Sequence, residues 1–212
     1  MLLIHPASTR PPLAPLASAL QSAQTCVIGP TFKANMTASD IAATLKRVES
    51  ILRRRPKIAL HGDAPATSCW QGGMRVVTSH ASGTQVVTDM PKALGGSGDR
   101  VTPGWLLRAG LASCVATRIA MSAAAENIEL KALELVATSR SDTRGLLGMP
   151  DTNGASVNVG PREVELLVRI SARGASPERL RGMVEDSHRL SPVSCAMKGV
   201  VPVTLRIEVS AG

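Results

Sequence analysis

Cysteine is the residue type in this 212-residue sequence best suited to chemistry. Four occur: Cys26, Cys69, Cys114 and Cys195. None belongs to a CxxC pair, so their spacing argues against a zinc site. Four cysteines in a chain this long are not a disulfide framework; they are reduced and structural, or one pair does redox work. The reactive form of a cysteine is the thiolate, so a reactive position needs something that lowers its pKa. Cys114 lies in the middle of GWLLRAGLASCVATRIAMSAAA, ten residues after Gly104. The field of a helix dipole fades beyond the first turn, so only a nearby cation could activate a thiol there. Residue type alone leaves two readings open for Cys114: a small apolar filler of a buried helix, or a reactive thiol. His188 could approach such a thiol or simply place positive charge at a helix end.

The elements that must position Cys114 follow from periodicity. Residues 36–56 read as a helix, with Ser39 as N-cap, Asp40 in its first turn, and Ile41, Leu45, Val48 and Leu52 at helical spacing before Pro56 ends it. SCWQGGMRVVTSH and TQVVTDM, separated by a turn at Gly83, read as a two-stranded hairpin. LGGSGDR is a glycine-rich loop, but no GK[ST] follows it, so it is not a phosphate loop. Thr102 and Pro103 open the Cys114 helix as N-cap and first residue. That helix is expected to run to about Asn127, with Leu107, Leu111, Cys114, Val115, Ile119 and Ser122 along one face. Its many small residues suit a slim central helix packed on several sides. IELKALELVATSR and REVELLVRISARG read as strands, the second with Val164, Leu166, Val168 and Ile170 on one face. A long loop, SDTRGLLGMPDTNGASVNVG, joins them. A helix capped by Ser176, a short helix over Val193 to Gly199, and a final strand PVTLRIEVS complete an αββαββααβ order. This order predicts an α+β fold with a mostly antiparallel sheet against helices.

Composition bounds the rest. Hydrophobic residues make up 44% of the chain, enough for a core. Its only aromatic residues are Phe32, Trp70 and Trp105, so base-stacking platforms are nearly excluded. The net charge of +8 is concentrated early: residues 1–60 hold eight Lys/Arg against two Asp/Glu, the remainder sixteen against fourteen. Nucleic-acid binding is therefore not expected. Residues 1–35, rich in Pro, Ser and Ala, are expected to be a flexible extension, with Met36 as a candidate natural start. Residues 36–66 form a helix and linker, and residues 67–212 the main domain. No secretory signal is evident, and Arg108 and Arg118 in the Cys114 helix argue against a membrane span, so a cytoplasmic location is expected.

DMPKALGGSGDRVTPGWLLRAGLASC resembles the signature of the OsmC/Ohr family, the osmotically inducible and organic hydroperoxide resistance proteins. The order of later segments fits as well, including the turn Ser191-Pro192-Val193, and SDTRGLLG is similar to an OsmC-like branch. The likeness covers about Thr67 to Val209. It implies an OsmC-like fold in which two protomers wrap their sheets around a pair of central helices, as an intertwined homodimer with active sites at the interface. It further implies a thiol peroxidase without cofactor or metal. Cys114 would attack a small organic hydroperoxide, Arg75 would activate it, and Cys195 or an external thiol reductant would resolve the product. Arg108, six residues from Cys114 on another helix face, is the weaker candidate cation. Two positions depart from the family pattern: Gly104 stands where it carries Glu, and Ser191 where it carries the second cysteine. These departures motivate the alternative expectation, a non-enzymatic dimer that binds a small apolar ligand in its interface pocket.

Overall fold

The computed structural model describes residues 36–199 and 203–207. The expected extension at 1–35, Cys26 within it, lies outside the described residues. The first helix, α1 (Ala38–Arg54), is capped by Thr37 rather than by Ser39. The Thr37 side chain accepts from the Asp40 backbone N–H, and the Asp40 carboxylate accepts from the Thr37 N–H in return. This reciprocal capping box satisfies two orphan donors, which Ser39 could not do without shortening the helix.

Three antiparallel strands follow, not two: β1 (Thr67–Trp70), β2 (Val76–Ser79) and β3 (Gln85–Thr88). The first expected strand is broken at Gln71–Arg75. Gly72 and Gly73 adopt positive φ there (100° and 57°), and Gln71 N–H closes on the Arg75 carbonyl. Glycine takes this conformation without a Cβ penalty, so the GG pair makes a turn and doubles the chain back. Trp70 then pairs with Val76, and Val76 with Thr88.

The central helix α2 (Pro103–Ala125) begins as expected, with the Thr102 hydroxyl accepting from Trp105 N–H and Pro103 at its first position. It ends two residues before the expected boundary. Leu111, Val115, Ile119 and Ala123, each four residues apart, are buried. Leu107 is exposed, and Cys114 and Ser122 are half-buried, so the buried stripe is narrower than the expected face. The length and apolarity of α2 would suffice to cross a bilayer. In this fold it instead supplies the core, with Ile128, Leu180 and Met183.

That core is closed by a long hairpin, β4 (Glu129–Arg140) and β5 (Arg162–Arg173), in antiparallel register from Glu129↔Arg173 to Arg140↔Arg162. A bulge between Leu130 and Ala132 shifts the side-chain phase by one residue. Leu130 therefore faces the core before the bulge, and Leu133, Leu135 and Ala137 after it. Leu166, Val168 and Ile170 on β5 pack against the same core, while Val164 lies at its exposed end. The loop joining the strands contains a one-turn helix, α3 (Thr143–Leu146). Helices α4 (Pro177–Arg189, capped by Ser176) and α5 (Pro192–Lys198, capped by Ser191) complete the layer.

The structure is α+β with antiparallel sheets, as expected, and the described residues form two separate sheets. The expected final strand is not formed in its described part. Val203, Leu205 and Ile207 alternate with polar residues, yet are 89%, 80% and 74% exposed, with no strand beside them.

Candidate functional site

Cys114 sits at the middle of α2, half-buried, with a free thiol. It lies one position before Val115 and so about 100° around the helix from the buried stripe. The helix holds the thiol at the margin of the core. Cys195, on α5, is free and exposed, and its Sγ–H donates to the Arg189 carbonyl at 3.3 Å. Cys69, on β1, is also free and exposed.

The structure gives Arg75 a different set of neighbours from the one expected. Its Nη2 donates to Asp99 Oδ1 at 2.6 Å, to Ser97 Oγ at 2.8 Å and to Asp89 Oδ2 at 3.2 Å. Cys114 is not among its hydrogen-bond or ion-pair partners in the protomer. The carboxylates at the end of β3 and in the SGD loop were not singled out from the sequence, although each Asp follows the elements that flank Arg75. Asp89 is only 3% exposed. Its carboxylate accepts from the Ser97 hydroxyl, the Met90 N–H and Arg75. These bonds, that from Ser97 foremost, hold its pKa at about 2 against the effect of desolvation. The Arg75 guanidinium is in turn pushed further above its ordinary range, chiefly by its hydrogen bond to Asp89.

The glycine-rich loop makes this cluster possible. A Cβ on Gly96 would lie 1.8 Å from the Met90 carbonyl oxygen, so only glycine lets the loop approach β3 closely enough to bring Ser97 onto Asp89. Arg108 donates to Ser139 Oγ at 3.2 Å, tying α2 to β4. Gly104 is open at the head of α2. A Cβ there would face Arg108 Nη1 at 3.8 Å.

A third group gathers where α4, α5 and α2 meet. Ser187, Ser191 and Ser194 are buried. His188 Nδ1 and Ser194 Oγ are 3.1 Å apart, and the Ser191 hydroxyl accepts from Ser194 N–H. Burial, with Lys198 adding to it, pushes the His188 pKa down, so the imidazole is neutral near pH 7. Of these, His188 and Ser194 border a cavity of about 420 Å³, walled by Leu111, Val164, Leu166, Val168, Val184 and Met197. Leu111 is one helical turn before Cys114. Among the described residues no cluster of three or more His, Cys, Asp or Glu could hold a metal.

With this arrangement in view, the comparisons with known proteins are direct. Residues 96–206 match the family of OsmC-like proteins. The chain belongs to the OsmC-like family. The match takes in the glycine-rich loop from Gly96 on, α2 with Cys114, the β4–β5 hairpin and both C-terminal helices. Solved structures share the fold. An OsmC-like protein from Mycoplasma pneumoniae aligns with a TM-score of 0.54 at 20% identity, over 66% of this chain and 91% of its own. An OsmC-like protein of unknown function from Vibrio cholerae gives 0.53 at 14% identity, over 64% and 94%. No curated protein matches the chain in sequence. Cys114 lies on the central helix, Gly104 at its head and Ser191 at the cap of α5.

Proposed function

We propose that this OsmC-like protein is a homodimeric, thiol-dependent reductase of small organic hydroperoxides, with Cys114 as nucleophile. The observation that carries the reading is the half-buried free thiol of Cys114 in the middle of the family's central helix. In this chemistry the Cys114 thiolate attacks one oxygen of ROOH and the O–O bond breaks. The alcohol leaves after taking up a proton, and the sulfur keeps the other oxygen as a sulfenic acid. A thiol then displaces that oxygen as water, forming a disulfide; one further external thiol frees Cys114 from a mixed disulfide, and two, or one dithiol, reduce a Cys114–Cys195 disulfide. The first thiol is Cys195 or an external reductant; the exposed position of Cys195 leaves it accessible to either role. No metal or cofactor takes part. Such a thiol works where the cell keeps cysteines reduced, which fits a cytoplasmic protein.

Arg75 enters the reading as a positioning group. Asp89 and Asp99 hold its guanidinium at the end of the β1–β3 meander, and a second protomer could bring that meander against Cys114. The dimer is supported by uncovered apolar surface. No strand residue of the meander contributes to the hydrophobic core, and Trp70 is 72% exposed.

The test is turnover of an organic hydroperoxide with a dithiol reductant, together with trapping of the sulfenic acid by a dimedone-type probe. Wild type should consume peroxide and label at Cys114. Cys114→Ser should do neither, and equal rates in wild type and this variant would overturn the reading. Cys195→Ser separates the two routes: turnover with external thiol persists, while an intramolecular disulfide is lost.

The cavity of about 420 Å³ beside α2 favours a second reading, a non-enzymatic dimer that binds a small apolar ligand. Undiminished acyl-ligand binding by Cys114→Ala protein that shows no turnover would support it.

A further inference from the structure

Among the described residues a dense run of cations lies outside the segment that matches the OsmC-like family. Helix α1 has two opposed faces. Ile41, Leu45, Val48 and Leu52 recur at helical spacing, and Ile41, Leu45 and Leu52 are half-buried where α1 packs on α2. Lys46, Arg47, Arg53 and Arg54, with Ser50 among them, occupy the opposite side, and every one is exposed. Arg55 and Lys57 extend this stripe past the helix end.

Little offsets the charge. Asp40 is used in the N-terminal capping box, and Glu49 pairs with Arg53. Among the described residues, Lys46, Arg47, Arg54, Arg55 and Lys57 have no carboxylate within ion-pair distance. Arg54 Nε donates only to the Ser50 carbonyl of its own helix. Two aliphatic side chains come directly after the cations: Ile58, 54% exposed in the 3-10 turn Pro56–Ala59, and Leu60, 92% exposed beyond it.

We infer that α1 and the turn after it form a docking surface for an anionic lipid bilayer. The cationic stripe faces the phosphates, and Ile58 and Leu60 enter the interface. The apolar face of α1 stays against α2, so docking needs no unfolding. Peripheral attachment requires two signals, apolar insertion and charge, and this stretch carries both. A nucleic-acid partner fits less well. Residues 36–66 contain no Phe, Tyr or Trp on which a base could stack, and exposed Ile58 and Leu60 gain nothing against a phosphate backbone. The inference does not depend on Cys114 being a nucleophile.

Co-sedimentation of the full-length protein with vesicles tests it. Wild type should pellet with phosphatidylglycerol/phosphatidylcholine vesicles, not with phosphatidylcholine alone, and release as salt is raised. Neutralising Lys46, Arg47, Arg54 and Arg55 to Gln should lower partitioning about fivefold per residue. Gln is a good helix former at these exposed positions, and circular dichroism checks that the fold is kept. Ile58→Ser with Leu60→Ser should weaken binding at unchanged charge. Equal pelleting with both vesicle types, wild-type binding by the Gln variant, or tighter binding to duplex DNA or RNA at the same salt would overturn the inference. Unchanged binding by the Ser pair would overturn the insertion of Ile58 and Leu60. Peroxide turnover by the same variants, measured with a small soluble hydroperoxide, reads the Cys114 proposal separately.

Discussion

A residue at the head of a long helix acts on both the helix dipole and the side chain one turn on. Gly104, at the second position of α2, lacks a Cβ that would lie 3.8 Å from Arg108 Nη1. Gly104→Glu would place a carboxylate four residues before that arginine, in the first turn, where negative charge also meets the helix dipole. It would also remove a glycine from a helix. Together these effects should stabilise the protein by about 1 kcal/mol, read as a higher midpoint in urea. An unchanged or lower midpoint would mean that a partner chain already occupies that space. Asp89 gives a second residue-scale expectation. Its folded pKa of about 2 lies below its ordinary value of 3.8, so its contribution to stability is full above about pH 4 and is lost as pH falls through about 2. Urea midpoints should therefore fall across that window in wild type. Asp89→Asn should be less stable at neutral pH and should show a shallower acid slope, although Asp142, also held at about 2 by Arg144, keeps part of it.

At the scale of elements, the sequence displays periodicity well and close approach poorly. The helices α1, α2, α4 and α5 were legible because prolines and 3.6-residue spacing agree, and Thr102 and Ser176 cap as their positions suggest, whereas Thr37 rather than Ser39 caps α1. The β4–β5 pair was legible from alternation, except for the bulge at Leu130/Ala132, which leaves no local mark. The division of the first hairpin into three strands was hidden in Gly72-Gly73, since glycine is compatible with both a strand interior and a turn. The Arg75–Asp89–Asp99 cluster was hidden for a different reason: it joins residues 14 and 24 positions apart through a loop whose path depends on Gly96. Cys114 could be placed from its segment, but its neighbours could not. Gly96 and Gly145 carry these close approaches, the latter with a Cβ position 2.8 Å from the Asn158 carbonyl. Alanine at either should destabilise by about 2 kcal/mol or more, because backbone, not a side-chain end, must move. The two variants should differ in kind. Gly96→Ala should also flatten the acid dependence by displacing Ser97 from Asp89, and Gly145→Ala should leave it intact. Matched acid slopes in the two would show that the loop does not hold the cluster.

At the scale of the whole molecule, the protomer has more apolar surface than it covers. The meander stands without a core of its own, Trp105 and Leu107 at the head of α2 are exposed, and the alternating segment from Val203 to Ile207 has no strand to pair with. The homodimer proposed above would cover these surfaces, and small residues along α2 would let it meet its counterpart closely. Gly110 distinguishes a covered from an uncovered helix. In the protomer nothing lies within 4 Å of the Cβ it lacks. If α2 remained free on that side, Gly110→Ala would stabilise the fold by about 0.5–1 kcal/mol through helix propensity alone. If two α2 helices meet there, the added methyl group separates them, and the gain is replaced by weaker association. Sedimentation equilibrium should show wild type as a dimer, and Gly110→Ala should dissociate at higher concentration. A monomeric wild type, or a variant that gains stability with unchanged association, would remove α2 from the interface and with it the route by which a partner's Arg75 could reach Cys114.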